Sequence, residues 1–207
     1  MDEIQNFFIT GYPRSRTTWI SNWLTTDRSL CLHDATRFCH DIDDLVGVLR
    51  CADVEHVGNC DSNLTLHLDR VRELFPDAPI VVIDRDVQEV EVSLRSAGFD
   101  IPGLRGAGAG ADADADAVGL VMDALRPAME AAKLRDDVLT LPYESLAESS
   151  TCRRITDYCT PGLIFNEWRW RQLDEMRVVP QVDRYKQNQR GGRSPFAHAE
   201  FELSADN

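Results

Sequence analysis

The stretch Phe7-Phe8-Ile9-Thr10-Gly11-Tyr12-Pro13-Arg14-Ser15-Arg16-Thr17-Thr18-Trp19 decides how the chain is read. An apolar run ends at a glycine, arginines and hydroxyl residues follow, and an apolar pattern of helical spacing begins with Trp19, Ile20, Trp23 and Leu24. A strand, a tight loop and a helix N-terminus in that order make a phosphate cradle. The backbone N–H groups of the loop converge, the helix dipole favours an anion, and the side chains add cationic and hydroxyl donors.

Working outward, the chain repeats this alternation. Strands are expected over 4–10, 29–33, 55–58, 80–83 and 138–141, and helices over 18–24, 43–49, 64–74, 87–94 and 117–134. The run Ile80-Val81-Val82-Ile83 has the continuous apolar character of a strand buried on both faces. Strands alternating with helices of this length predict an α/β domain with a central parallel sheet. Ligands of such sheets bind at the carboxyl ends of the strands, where the first loop lies. Residues 1–180 are expected to form a single domain. Within it, 103–117 reduces almost entirely to Gly, Ala and Asp, which predicts a mobile loop, either a plain surface loop or a lid over substrate. Residues 181–207 read as a polar tail.

Bulk properties narrow the function. A chain of 207 residues can bury a core without disulfides. Its net charge of −13 argues against a broad nucleic-acid-binding face and requires any anion site to be locally basic, a role open to Arg14, Arg16, Arg85 and Arg95. No apolar run is long enough to span a membrane, and the acidic N-terminus does not read as a signal peptide, so a cytoplasmic address is expected. The six cysteines contain no Cys-x-x-Cys pair and read as reduced thiols. The alternative, a zinc set of Cys31, His33, Cys39 and His40, has the spacing of no common structural site, and no metal is expected.

The loop fails the Walker A pattern G-x-x-x-x-G-K-[ST], because Arg16 and Thr17 stand at the Gly-Lys positions. That disfavours an ATP-using kinase. Instead, Pro13-Arg14-Ser15-Arg16-Thr17-Thr18-Trp19 resembles the 5′-phosphosulfate loop of the sulfotransferase family, Pro-Lys/Arg-Ser-Gly-Thr-Thr-Trp, departing from it at Arg16 alone. Glycine suits a backbone with positive φ or a close phosphate approach, so the departure bears on loop geometry. Downstream, Arg85 at the end of the 80–83 strand and Ser93 eight residues on resemble the family's 3′-phosphate motif. A planar guanidinium grips phosphate through paired hydrogen bonds, and a helical hydroxyl adds a donor from the side. Pro142-Tyr143-Glu144-Ser145-Leu146 is similar to a later family segment, and Gln189-Arg190-Gly191 more faintly to a third.

The resemblance implies a three-layer, P-loop-type α/β fold with helices flanking the sheet. It also implies 3′-phosphoadenosine 5′-phosphosulfate (PAPS) as sulfuryl donor, with adenosine 3′,5′-bisphosphate (PAP) as product. By the same resemblance Arg14, Ser15, Arg16, Thr17 and Thr18 would hold the 5′-phosphate, Arg14 also acting catalytically. Arg85, Ser93 and Arg190 would hold the 3′-phosphate, and Trp19 and Tyr143 the adenine. The acceptor would be a small molecule, a carbohydrate or a protein. It needs a base: His33, after the second strand, suits proton removal near neutral pH, with Asp34, His40, Asp61 and His67 as alternatives and Asp61 and Ser62 as pocket candidates. A P-loop nucleotide or small-molecule kinase and a non-catalytic nucleotide-binding module remain as other readings.

Overall fold

A computed structural model describes residues 4–50, 53–97 and 117–175. The 103–117 loop, apart from Ala117, and the 181–207 tail with Arg190 lie outside the described residues. The strands are β1 (Gln5–Gly11), β2 (Ser29–His33), β3 (His56–Cys60), β4 (Ile80–Asp84) and β5 (Leu139–Pro142). The α-helices are α1 (Thr17–Leu24), α2 (Leu45–Leu49), α3 (Leu68–Leu74), α4 (Val87–Ser96), α5 (Ala117–Lys133), α6 (Ser149–Cys159) and α7 (Glu167–Glu175).

All described strand pairs are parallel, in the order β2-β3-β1-β4-β5. The expected parallel α/β sheet is therefore present. β1 and β4 are apolar throughout their centres because helices cover both faces of the sheet. Phe8, Val57, Ile80 and Val82 face a core closed by α3, α4 and α5. On α5 the buried Val118, Met122, Leu125, Met129 and Ala132 recur at helical spacing, forming one apolar stripe. On the other face α1 carries Trp19 and Trp23 into an aromatic cluster with Phe165 and Trp170.

Close approach explains two glycines. A Cβ at Gly58 would lie 2.3 Å from the ring of Phe7, its partner across the β1–β3 ladder. At Gly11 a Cβ would lie 2.6 Å from the carbonyl oxygen of Ile83.

Two expected helices differ in form, the first opening with a 3₁₀ turn at Ile42–Asp44 ahead of Leu45–Leu49. Residues 62–67 form a 3₁₀ turn and only Leu68–Leu74 is α-helical. The buried Asp61 carboxylate caps this turn, accepting from the Asn63 N–H at 2.9 Å.

The sheet order also positions the site. From β1 the chain leaves through α1 towards β2, whereas from β4 it leaves towards β5 on the opposite side. The carboxyl ends of β1 and β4 therefore flank a topological switch point, the crevice where ligands of open α/β sheets bind.

Candidate functional site

The loop from Gly11 to α1 is held in an unusual backbone. Arg14 (φ 69°) and Arg16 (φ 61°) both occupy the left-handed region, which L residues with a Cβ avoid. Arg16 thus keeps the conformation that a glycine would adopt there, and it is the N-cap of α1 without a side-chain capping bond. The Ser15 N–H donates to the carbonyl of Tyr12 at 3.2 Å, closing the turn.

The two distant motifs meet at the crevice. Arg14 Nε donates to Ser93 Oγ on α4 at 3.3 Å, and Arg85 Nη1 donates to the carbonyl oxygen of Arg14 at 2.5 Å. The Arg85 guanidinium lies 4.2 Å from the ring centroid of Tyr143, and its Nε is buried without a hydrogen bond, 3.5 Å from the Glu89 carboxylate. The Ser15 hydroxyl is fully buried and has no protein partner. Buried donors of this kind call for an acceptor, and a phosphate oxygen supplies one.

Arg16 directs its guanidinium away from this cluster. Its Nη1 pairs with Asp174 Oδ1 on α7 at 3.0 Å, and the group lies 5.1 Å from the Trp19 ring centroid and 5.9 Å from that of Tyr143. Trp19 is itself buried against Trp23 and Trp170, at centroid separations of 6.0 and 6.4 Å.

His33, at the carboxyl end of β2, reaches the same loop from the other side. Its Nε2 lies 3.1 Å from Thr17 Oγ1 and 2.9 Å from Thr18 Oγ1. Burial lowers its pKa below the ordinary histidine value, against the opposing pull of Asp34 and Asp61. Asp34, with Oδ1 3.6 Å from Nε2, is pushed up by burial and pairs with Arg37 at 2.9 Å.

The other base candidates are placed differently. Asp61 is buried and its oxygens accept from the Thr36 hydroxyl and N–H and from the Asn63 N–H, so it serves the fold of its turn. Ser62 begins the 3₁₀ turn, His67 is the N-cap of α3, and His40 is exposed. The zinc alternative is not assembled: Cys31 Sγ lies 3.4 Å from Cys60 Sγ, Cys39 Sγ donates to the Ala35 carbonyl at 3.6 Å, and His33 faces the threonines. Among the described residues no three His, Cys, Asp or Glu side chains are grouped to hold a metal.

A cleft of about 690 Å³ opens beside Arg85, at the ends of β4 and β5, with Arg126, Lys133, Glu91 and Glu144 in its wall. Both of these cations are paired: Lys133 meets Asp84 and Glu130, and Arg126 meets Glu91. Two elements of the site had no signature in the sequence reading. These are α7, which supplies Asp174, and the pairing of Arg85 with the Arg14 carbonyl. No described helix is long and apolar enough to cross a membrane.

No protein-family model matches the chain, and no curated protein matches it. Solved structures do. A sulfotransferase from Alicyclobacillus acidocaldarius superposes with a TM-score of 0.52 at 16% identity, over 79% of this chain and 85% of that one. A mouse sulfotransferase complexed with PAP gives 0.54 at 15% identity, over 84% and 67%. A sulfotransferase from Mycobacterium avium gives 0.53 at 14% identity, over 86% and 69%. At these identities the likeness establishes the fold: a sulfotransferase-like, P-loop-type α/β architecture.

Proposed function

We propose that the protein is a PAPS-dependent sulfotransferase acting on a hydroxyl or amine acceptor. The observation that carries this reading is the meeting of Arg14, Arg85 and Ser93 at the β1–β4 switch point, next to the buried, unpartnered Ser15 hydroxyl. A bisphosphorylated nucleotide fits such a donor set, because it needs two separate anion grips and carries enough charge to enter a protein of net charge −13 only where cations cluster.

In this reading the loop N–H groups and the hydroxyls of Ser15, Thr17 and Thr18 hold the 5′-phosphate, with the Arg16 backbone completing the loop. Arg85 and Ser93 hold the 3′-phosphate, joined by Arg190 on the strength of the sequence alone. Trp19 and Tyr143 take the base. PAPS, when bound, supplies the sulfuryl group that the acceptor receives. The Arg14 guanidinium counters negative charge gathering at the loop during transfer, which is catalysis by positioning and charge stabilisation. His33, neutral near pH 7, accepts the acceptor's proton at Nε2 once the Thr17 and Thr18 hydroxyls have turned from it to the phosphate. The Nε2 atom already touches both threonine hydroxyls, so base and phosphate loop share one hydrogen-bond system. Small-molecule, carbohydrate and protein acceptors all suit this chemistry.

Calorimetry with PAP tests the donor assignment. The parent protein should bind it, and Arg85→Ala and Ser93→Ala should each weaken binding, the arginine by about 1.5–3 kcal/mol. Absence of binding to the parent would sink the assignment. An acceptor screen with labelled PAPS then separates enzyme from binding module, and phosphate transfer from ATP·Mg²⁺ would replace this reading by a kinase.

A further inference from the structure

The loop departs from the sulfotransferase pattern at Arg16, and the contacts of that residue give it a second task. We infer that Arg16 and Asp174 form a latch over the rings of Trp19 and Tyr143 that must open before a planar base can stack on them. The inference rests on the nucleotide reading above.

Three features of the structure converge on it. The left-handed backbone at Arg16 sends the side chain back over α1, where the guanidinium reaches both rings, 5.1 Å from Trp19 and 5.9 Å from Tyr143. A guanidinium is flat and stacks on an aromatic face much as a purine does, so the two compete for that face. Asp174 then fixes the group from α7 at 3.0 Å. The helix that carries Asp174 is anchored to α1 by Trp170 against Trp19 and by Arg169 Nη2 donating to the Asn22 carbonyl at 2.8 Å. Finally, the pair is partly open to water, with side-chain exposures of 35% and 43%, which makes it weak enough for a ligand to displace. The other cation on Tyr143, Arg85, is tied to the Arg14 carbonyl and stays in place.

The latch distinguishes ligands by whether they carry a base. An anion without one can reach the loop donors and leave Arg16 undisturbed. A nucleotide must break the Arg16–Asp174 pair first. Arg16 is thereby a specificity-determining residue whose side chain acts against the base, while its charge still favours any anion nearby.

The test is a ratio, so that the general loss of charge cancels. Dissociation constants for PAP and for inorganic pyrophosphate are measured by calorimetry on the parent, Arg16→Gly and Asp174→Asn. The preference for PAP over pyrophosphate should rise about three- to tenfold in Arg16→Gly, the scale of one exposed ion pair and one cation–π contact. It should rise less in Asp174→Asn, which keeps the arginine. An unchanged ratio in Arg16→Gly would show Arg16 to be a plain anion grip, and a fall would show it stacking on the base; either overturns the latch. If PAP binds none of the three proteins, the nucleotide reading itself fails, an outcome distinct from a ratio that does not move. Glycine accepts the φ of 61° without strain, which offsets the lost ion pair and ring contacts, so this variant should still fold.

Discussion

A single imidazole carries the sharpest pH prediction. His33 sits at the end of β2 with Nε2 on the Thr17 and Thr18 hydroxyls, and burial moves its pKa below the ordinary value of about 6.5. The free-base form then predominates at neutrality. Activity as a sulfotransferase should rise on an acid limb centred below pH 6.5 and be flat through pH 7. His33→Gln should lower kcat by about 10²–10⁴-fold and abolish the limb; a limb that survives in the variant assigns the base elsewhere. The same shift affects stability. A histidine with a lowered folded pKa binds fewer protons folded than unfolded, so stability is lost as pH falls from about 6.5 through the folded pKa, and His56, also lowered by burial, adds to the loss. At this scale the sequence was legible where a residue sits at a fixed offset from a strand end. Arg14 and Arg85 follow strand ends that the hydrophobic pattern marks, Ser93 lies on the helix after Arg85, and the structure brings the three together. Asp61 stands in the sequence as an alternative base, and only the backbone of its own turn reveals that its oxygens are taken. Asp174, separated from Arg16 by 158 positions, had no local signature at all.

Helix α7 shows how an element can escape a periodicity reading and still shape the site. Its sequence Glu167-Trp168-Arg169-Trp170-Arg171 alternates apolar and charged residues, which suggests a strand rather than a helix. The structure uses the two tryptophans oppositely: Trp168 is 72% exposed, whereas Trp170 is 9% exposed against Trp19 and Phe165. Trp170→Ala should therefore cost about 3 kcal/mol and loosen α7 together with Asp174, while Trp168→Ala should fall within about 0.5 kcal/mol of the parent. Urea unfolding of the two variants decides this; equal costs would mean that α7 does not dock on α1 through Trp170. By contrast β4 and α5 were readable from the hydrophobic pattern alone. A four-residue apolar run between Pro79 and Asp84 and a stripe at helical spacing each have one low-energy placement, buried against the sheet or forming it.

For the molecule as a whole, the parallel sheet followed from the alternation of elements, but its order β2-β3-β1-β4-β5 did not, because strand pairing is a long-range choice that no local pattern records. That order creates the functional geometry. It turns the chain in opposite directions after β1 and β4 and so brings Arg14 and Arg85 to one crevice in a protein of net charge −13. A local cationic cluster inside a repulsive global field should bind a bisphosphate through short contacts rather than long-range attraction. Saturating PAP, at about 100 times its dissociation constant, should stabilise the fold by about 2.7 kcal/mol and raise the melting temperature by about 5–10 °C. Moderate salt screens the repulsive field and the attractive cluster together, so the shift at a fixed multiple of the dissociation constant should persist, while the dissociation constant itself weakens less steeply than the number of arginines at the site would suggest. Arg85→Ala should remove most of the shift at the ligand concentration that saturates the parent. A full shift in that variant would mean that the β4 end of the crevice does not hold the ligand, and that the meeting of the two motifs serves only to clamp the loop.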